Sequence, residues 1–247
     1  MGLLSAVLFL ALSAYIGAAM AERSERRETA VLYAAAVTES TPLYGIAIRR
    51  ETLCEPAARF TDGQRETGRG VWFAVSDGFE ALTPDSEALL DPAALREILE
   101  QPEQVSDTGK FVTGYDWVFA ALAPPGAELP DGGVCRLHFE GTERALSARL
   151  LARAEDTEGV CVLLRLTEGG EYLRLRKCTA ELLGAEHRGL AVERRALHET
   201  PEGERYVELI RDGELKRISA ETEYVGDTLV LLRPSDELRE GSRIVLG

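Results

Sequence analysis

Glycine-centred turns recur along most of the chain, and their spacing limits the possible folds more than any other feature. They lie at residues 61–64, 68–70, 76–78, 124–126, 131–133, 168–170, 211–213 and 225–227. Glycine adopts positive φ angles without steric cost, and Asp-Gly pairs favour β-hairpins. Short apolar runs joined by such turns predict a mainly β fold, built as a barrel or a sandwich.

The apolar runs between these turns are the predicted strands. Two of them, at 30–37 and 43–49, are separated by a turn signal at 39–42 that ends in Pro42. The remaining predicted strands lie at 71–75, 111–122, 134–139, 145–152, 159–166, 172–182, 190–192, 206–211, 215–225, 228–233 and 243–246.

Two short helices are predicted between the strand-rich parts. Thr83-Pro84 and Asp91-Pro92 each place a capping side chain before a proline at the first helical position. Strong helix formers such as Leu95 and Leu99 follow. Both helices are expected to end before Pro102.

The first residues differ from this β pattern. Residues 3–21 carry no charged side chain, and as a helix they would rise about 28 Å, close to the thickness of a bilayer core. We predict a retained membrane anchor. A cleaved signal peptide is the main alternative, because Ala19-Met20-Ala21 has the small-x-small form of a cleavage site, and a merely buried helix is a further one.

Charge excludes one class of partner but does not orient the chain. The formal net charge of −14 predicts a body that repels nucleic acid. Arg23, Arg26 and Arg27 follow the apolar stretch and would favour a cytoplasmic flank. Orientation from charge alone therefore stays open.

No constellation of residues predicts catalysis. His138, His187 and His198 share no metal-ligand spacing, and the sequence has no Gly-x-Ser-x-Gly elbow, phosphate-binding loop or dinucleotide fingerprint. We predict a protein that is not an enzyme, with no catalytic, cofactor-binding or metal residues and no cofactor.

The four cysteines are widely spaced and form no Cys-x-x-Cys pair. We interpret them as small buried side chains within strands. A disulfide such as Cys161 with Cys178 remains possible if the body lies outside the cytoplasm.

Motifs along the body resemble the HlyD-type periplasmic adaptor, or membrane fusion protein, family of bacteria. They are LYGIAIRRE at 43–51, TDGQRETG at 61–68, VSDGFE at 75–80, LTP at 82–84, GKFVTGYDW at 109–117, RGLAVERRAL at 188–197 and LREGSRIV at 238–245. The chain departs from the family at residues 65–71, where a tight glycine-rich turn replaces the usual coiled-coil hairpin.

The resemblance implies four regions. A membrane anchor with its charged flank (1–27) would precede a compressed lipoyl-like β region with two short helices (28–106). A β-barrel domain (107–187) and a membrane-proximal-like β domain (188–247) would follow.

It also implies a function. The chain would be a single-pass protein of the cell membrane whose body lies on the extracytoplasmic side. It would bind lipid through residues 3–21 and act as an efflux-type adaptor or assembly protein through envelope or transporter partners, and it could form oligomers. The alternative is a structural cell-envelope protein, in division or sporulation, without a transport role; a secreted hydrolase on a β scaffold is a third interpretation.

Overall fold

The computed structural model describes residues 27–54, 61–66, 70–130 and 132–247. The fold is mainly β, as the turn spacing predicts. It divides into two compact units, which we call the barrel unit (Glu39–Ala185) and the terminal unit (27–38 with Glu186–Gly247). The domain bounds drawn from the sequence stay predictions.

The described residues contain fifteen strands, one α-helix and three short 3₁₀ helices. The strands are β1 (Thr29–Val31), β2 (Tyr33–Cys54), β3 (Arg65–Glu66), β4 (Gly70–Phe73), β5 (Gly109–Ala123), β6 (Val134–Phe139), β7 (Leu146–Asp156), β8 (Gly159–Leu166), β9 (Lys177–Glu193), β10 (His198–Glu199), β11 (Arg205–Arg211), β12 (Glu214–Ser219), β13 (Thr222–Val225), β14 (Leu229–Leu232) and β15 (Arg243–Val245). The α-helix, α1, is Pro92–Glu100, and the 3₁₀ helices are Glu87–Leu90, Gly170–Arg174 and Arg194–Ala196.

Six strands close a ring in the barrel unit. β5, β8, β7, β6 and β9 pair in that order, and β2 pairs with both β5 and β9. The register of β2 on β5 runs from Tyr44 opposite Leu122 to Cys54 opposite Gly109, with a shift between Ile48 and Arg50. β2 precedes the other five strands of the ring in the chain.

Alternation along the strands gives the ring two buried faces. Successive strand side chains point to opposite faces, so Phe119 joins the larger core cluster while Val118 joins a second one. Along β8, Val162 and Leu164 belong to the first cluster and Leu163 to the second. The second cluster includes residues of α1, which therefore covers this outer face of the ring.

Helix α1 begins where its capping signal predicts. The Asp91 carboxylate accepts hydrogen bonds from the backbone N–H groups of Ala93 (2.9 Å) and Ala94 (3.4 Å), and Pro92 follows it directly. Leu95 and Leu99 are buried four residues apart on one helix face. The second predicted helix is the 3₁₀ helix Glu87–Leu90, which begins three residues beyond Pro84.

The terminal unit packs around a separate apolar cluster. One sheet contains β1, β15, β11, β10 and β12, while β13 and β14 pair beside the C-terminal part of β9. Val207, Leu209, Val230 and Ile244 are among the residues that form the shared core. The hairpin between β11 and β12 turns at Asp212 (φ 53°) and Gly213 (φ 79°), as the Asp-Gly pair predicts.

One predicted break between strands is wrong, and one strand predicted as continuous is broken. The turn expected at 39–42 is absent, because β2 continues through these residues; its pairing with β5 starts at Tyr44, so the missing N–H of Pro42 interrupts no ladder bond there. Conversely, the run 215–225 is broken into β12 and β13. The backbone N–H of Ala220 bonds to the carbonyl oxygen of Arg205 between them.

The predicted strand at 172–182 starts later than expected. The 3₁₀ helix Gly170–Arg174 takes its first residues, and β9 begins at Lys177. By contrast, β6 and β8 have the predicted bounds.

The predicted membrane span at 3–21 lies outside the described residues, and none of the helices that are described has the length and apolar character to cross a bilayer.

All four cysteines are free thiols. Cys161 packs in the cluster beneath α1, and its Sγ atom donates to the carbonyl oxygen of Leu89 at 2.9 Å. Cys178 packs against the other cluster. The disulfide that the sequence left open is therefore not formed, and burial raises the pKa of both thiols to about 12.

Candidate functional site

The three histidines do not meet. The Nε2 atom of His138 lies 3.0 Å from the carbonyl oxygen of Thr142 in the barrel unit. In the terminal unit, His187 contacts the Tyr224 ring, and His198 stacks on another tyrosine.

A cluster of six charged side chains, which the sequence did not single out, lies within the barrel unit. We call it the ionic cluster. Three of its members are basic and three acidic, and they come from β2, β5, the turn after β4 and the residue before β9: Arg49, Glu51, Asp77, Glu80, Lys110 and Arg176.

The turn that supplies two of the acids is held by its own side chains. The Asp77 carboxylate accepts a hydrogen bond from the Phe79 N–H at 3.1 Å. The Glu80 carboxylate accepts from the N–H groups of Asp77 (2.7 Å) and Gly78 (3.0 Å). Gly78 has φ 90°, a conformation that favours glycine. The SDG motif therefore folds into a turn that presents two carboxylates to the strands.

Lys110 brings a positive charge between these carboxylates. Its Nζ atom lies 3.1 Å from Glu80 Oε1 and 3.3 Å from Glu51 Oε2, and it also contacts Asp77. The side chain is only 9% exposed. A buried ammonium ion requires such partners, because the cost of removing it from water is several kcal/mol.

Arg176 contacts the same acids and also bonds to β2 near the point where β2 and β9 close the ring. Its Nε atom is 2.9 Å from Asp77 Oδ2, and its Nη2 atom is 2.5 Å from Glu51 Oε2. The Nη1 group donates to the carbonyl oxygen of Ala47 at 3.0 Å, and the Ala47 N–H donates back to the Arg176 carbonyl at 2.8 Å. The cluster therefore stabilises the junction where β2 approaches the start of β9.

The charges of the cluster shift one another's pKa. Burial by itself would raise the pKa of Asp77, but the hydrogen bond from Lys110 and the charges of Arg176 and Lys110 lower it below its ordinary value of 3.8. Burial would lower the pKa of Arg176, yet the neighbouring Glu51 and Asp77 carboxylates raise it. Both groups are consequently held in their charged forms at neutral pH.

Three carboxylates of the cluster could in principle approach a metal ion. One oxygen each of Glu51, Asp77 and Glu80 lies within 4.8 Å of the others. The Lys110 ammonium group already stands among these oxygens and supplies the positive charge. The arrangement consequently fits a closed ionic cluster better than a metal site.

Arg49 differs from the other two basic residues. It is 2% exposed, its Nη2 atom donates to the Tyr172 carbonyl oxygen at 2.7 Å, and its Cζ atom lies 5.2 Å from the centre of the Trp117 ring. Its Nε atom has no hydrogen-bond partner, and within the described part of the chain no carboxylate forms an ion pair with it. Burial and the nearby charge of Arg176 lower its pKa to about 10, which leaves it charged at neutral pH.

A cleft of about 330 Å³ opens beside Arg49. Lys110 and Arg176 also line it. Two aliphatic side chains stand at the cleft, Val75 with 44% of its surface exposed and Val105 with 70%. The arrangement combines a buried positive charge with an apolar edge, as ligand sites with a few polar groups do.

Sequence reasoning missed the ionic cluster because its charges look like ordinary surface charges. Scattered acids and arginines are usually solvated. One signal could have indicated Arg49: it directly follows the apolar residues Ile46 to Ile48 within the predicted strand 43–49. In the structure it lies at the β-bulge between Ile48 and Arg50. The partners of a buried arginine could not be chosen without the strand pairing.

Comparisons with known proteins give no family for the chain. No family model matches it, and no curated protein does. Among solved structures, the crystal structure of ZneB from Cupriavidus metallidurans matches with 11% identity and a TM-score of 0.31, over 89% of this chain and 92% of that one. A similarity at that TM-score carries no argument about fold or function here.

Proposed function

We propose that this chain is a non-enzymatic, membrane-anchored adaptor or assembly protein whose body lies on the extracytoplasmic side and binds other envelope proteins. Its lipid contact would be residues 3–21, and its partners would be transporter or other envelope subunits. The observation that carries the proposal is the uncharged stretch at 3–21, long enough to span a bilayer, ahead of a β-rich body.

Two further features support a binding role. The order of the motifs between residues 43 and 245 resembles the HlyD-type adaptors, which act by protein–protein interaction. In the barrel unit, a cleft with exposed Val75 and Val105 offers an apolar surface next to a buried charge. Exposed apolar groups beside buried polar ones are typical of binding sites.

The location of the body is tested by protease protection. Cells that express the full-length chain are converted to protoplasts, treated with added protease, and fractionated into membrane and soluble parts. We expect the chain in the membrane fraction and the body digested from outside. Protection of the body in intact protoplasts, with digestion only after lysis, would contradict the proposal.

A structural role in the envelope is the second candidate, and one observation favours it. β3 and β4 pair with Arg65 opposite Val71, so the chain between them is too short for the coiled-coil hairpin of the resembling family. Deleting the gene and comparing efflux with cell shape separates the candidates. A change in shape without a change in efflux favours the structural role.

A further inference from the structure

We propose that the cleft beside Arg49 binds a carboxylate of an extended segment from a partner polypeptide, while aliphatic side chains of that segment pack on Val75 and Val105. This inference rests on the proposed function, because it assigns the partner-binding site of the adaptor and the chemistry of the partner.

The first argument is the incomplete hydrogen bonding of the buried Arg49 guanidinium group. A guanidinium group buried to 2% exposure is costly unless a counter-ion and hydrogen bonds compensate for its lost hydration. Among the described residues, the Arg49 side chain donates a hydrogen bond to the Tyr172 carbonyl oxygen, and its Nε atom has no partner. Glu51 and Asp77 favour its charged form from nearby, but in the described ranges no carboxylate forms a direct ion pair with it; these two pair with Lys110 and Arg176 instead. An incoming carboxylate would supply a further hydrogen-bond acceptor and a direct ion pair for this guanidinium group.

The second argument is that the other basic side chains of the cleft already have partners. Lys110 and Arg176 bind the acids of the ionic cluster. Arg174 pairs with Asp62, with 2.9 Å between Nη1 and Oδ2. Arg49 is thus the basic group of this cleft that is left to receive a ligand anion.

The acidic lining determines which anion fits. Asp62, Asp77 and Glu103 line the same cleft. Like charges repel strongly at short range in such surroundings, so a phosphate dianion is disfavoured relative to a single carboxylate. The planar fork of a carboxylate also matches a guanidinium group.

The apolar edge indicates a polypeptide rather than a free small anion. Val75 and Val105 are held near each other because the backbones of Ser76 and Ser106 exchange two N–H to O hydrogen bonds of 3.1 Å. Both valines are largely exposed, at 44% and 70%. Aliphatic side chains flanking the carboxylate would remove this surface from water.

A larger cleft in the same unit provides the contrast. It has a volume of about 670 Å³, and its lining includes Glu39, Glu128 and Val134 but no basic side chain from the described residues. Its acidic side chains would repel a carboxylate. Val134 is 70% exposed, the same fraction as Val105, so it supplies a matched control.

The test is a titration of the full-length protein in detergent with N-acetyl-valyl-leucine and with its C-terminal amide. Trp117 lies against Arg49, so its fluorescence reports binding, and a Trp72→Phe background leaves it as the only tryptophan. We expect saturable binding of the acid and at least about tenfold weaker binding of the amide, as expected for a lost charged hydrogen bond.

Three variants test whether the peptide binds in the cleft beside Arg49. Arg49→Met should abolish the preference for the acid over the amide. Because that change affects a buried residue, Val105→Ser serves as the second variant and should weaken binding about threefold or more, while Val134→Ser leaves it unchanged. Equal binding of acid and amide, no saturable binding of either, or equal effects of the two valine changes would overturn the inference.

The two proposals fail separately. If the body is digested from outside the protoplasts but the titration shows no preference for the acid, the adaptor proposal stands and the assignment of the cleft as the carboxylate-binding site is wrong. If the body is cytoplasmic, the adaptor proposal fails whatever the titration gives.

Discussion

The two units of the molecule differ in where they place their ion pairs. The barrel unit buries an ionic cluster in which Arg176 contacts Glu51 and Asp77. The terminal unit keeps its ion pairs near water, as with Arg233 and Glu221, whose side chains are 61% and 74% exposed. Its core cluster is apolar throughout.

The apolar core and the ionic cluster contribute differently to the stability of the fold and to the specific arrangement of its strands. An apolar core stabilises in proportion to the area it buries. A buried ionic cluster is weak evidence for added stability, yet the loss of one member leaves the others unpaired and costly. We infer that the ionic cluster fixes the arrangement of β2 against β9 and keeps Arg49 beside the cleft, whereas the terminal unit relies on packing.

The largest expected effect comes from breaking the ionic cluster. Arg176→Met leaves Glu51 and Asp77 without this partner and should lower the free energy of unfolding by about 3–5 kcal/mol. Urea unfolding followed by tryptophan fluorescence measures it, because Trp72 and Trp117 both lie in the barrel unit. Arg233→Met in the terminal unit is the control and should leave the transition unchanged.

The next largest effect is expected from a substitution that creates a cavity in the core of the terminal unit. Leu209→Ala removes a side chain of the apolar core and should destabilise the protein by about 2–5 kcal/mol. Leu215→Ala in the neighbouring strand is the control, since Leu215 is 42% exposed and should matter little. Urea unfolding followed by far-ultraviolet circular dichroism measures both, and equal losses would show that the apolar cluster is wrongly assigned.

A smaller effect is expected from the cap of α1. Asp91→Ala removes the acceptor for the N–H groups of Ala93 and Ala94 and should cost about 1 kcal/mol. Asp91→Asn keeps a capping oxygen and should recover most of the loss. Chemical unfolding of both variants checks this, and an asparagine variant as unstable as the alanine one would argue against the capping role.

The smallest effect is the part of the Asp77 contribution to stability that changes with pH. The pKa of Asp77 is lowered in the folded protein, so its contribution to stability is present above its ordinary value of 3.8 and is lost as the pH falls through the lower, folded value. Asp77→Asn should therefore differ from wild type at pH 7 and approach it below about pH 4. The midpoints of urea unfolding of both proteins, measured between pH 7 and pH 2.5, test this prediction. A difference between the two midpoints that stays constant with pH would exclude Asp77 as the titrating group.

The sequence predicts the strands better than it predicts the site. β6 and β8 follow from apolar runs bounded by turn residues, and α1 follows from Asp91-Pro92. Pro42 misled the prediction because a turn signal is local, while the course of β2 depends on its partners along the ring. The ionic cluster could not be predicted, since its members come from segments as distant as Arg49 and Arg176 and meet only after the ring has closed.

The most direct measurement places a photo-crosslinking amino acid at position 105 or at position 134 of the full-length protein in living cells. The two native valines are equally exposed, so exposure alone cannot distinguish them. We expect position 105 to give an adduct with an envelope protein that Arg49→Met diminishes, and position 134 to give little or none. The same adducts from both positions, or none from position 105, would contradict an adaptor that binds its partner through this cleft.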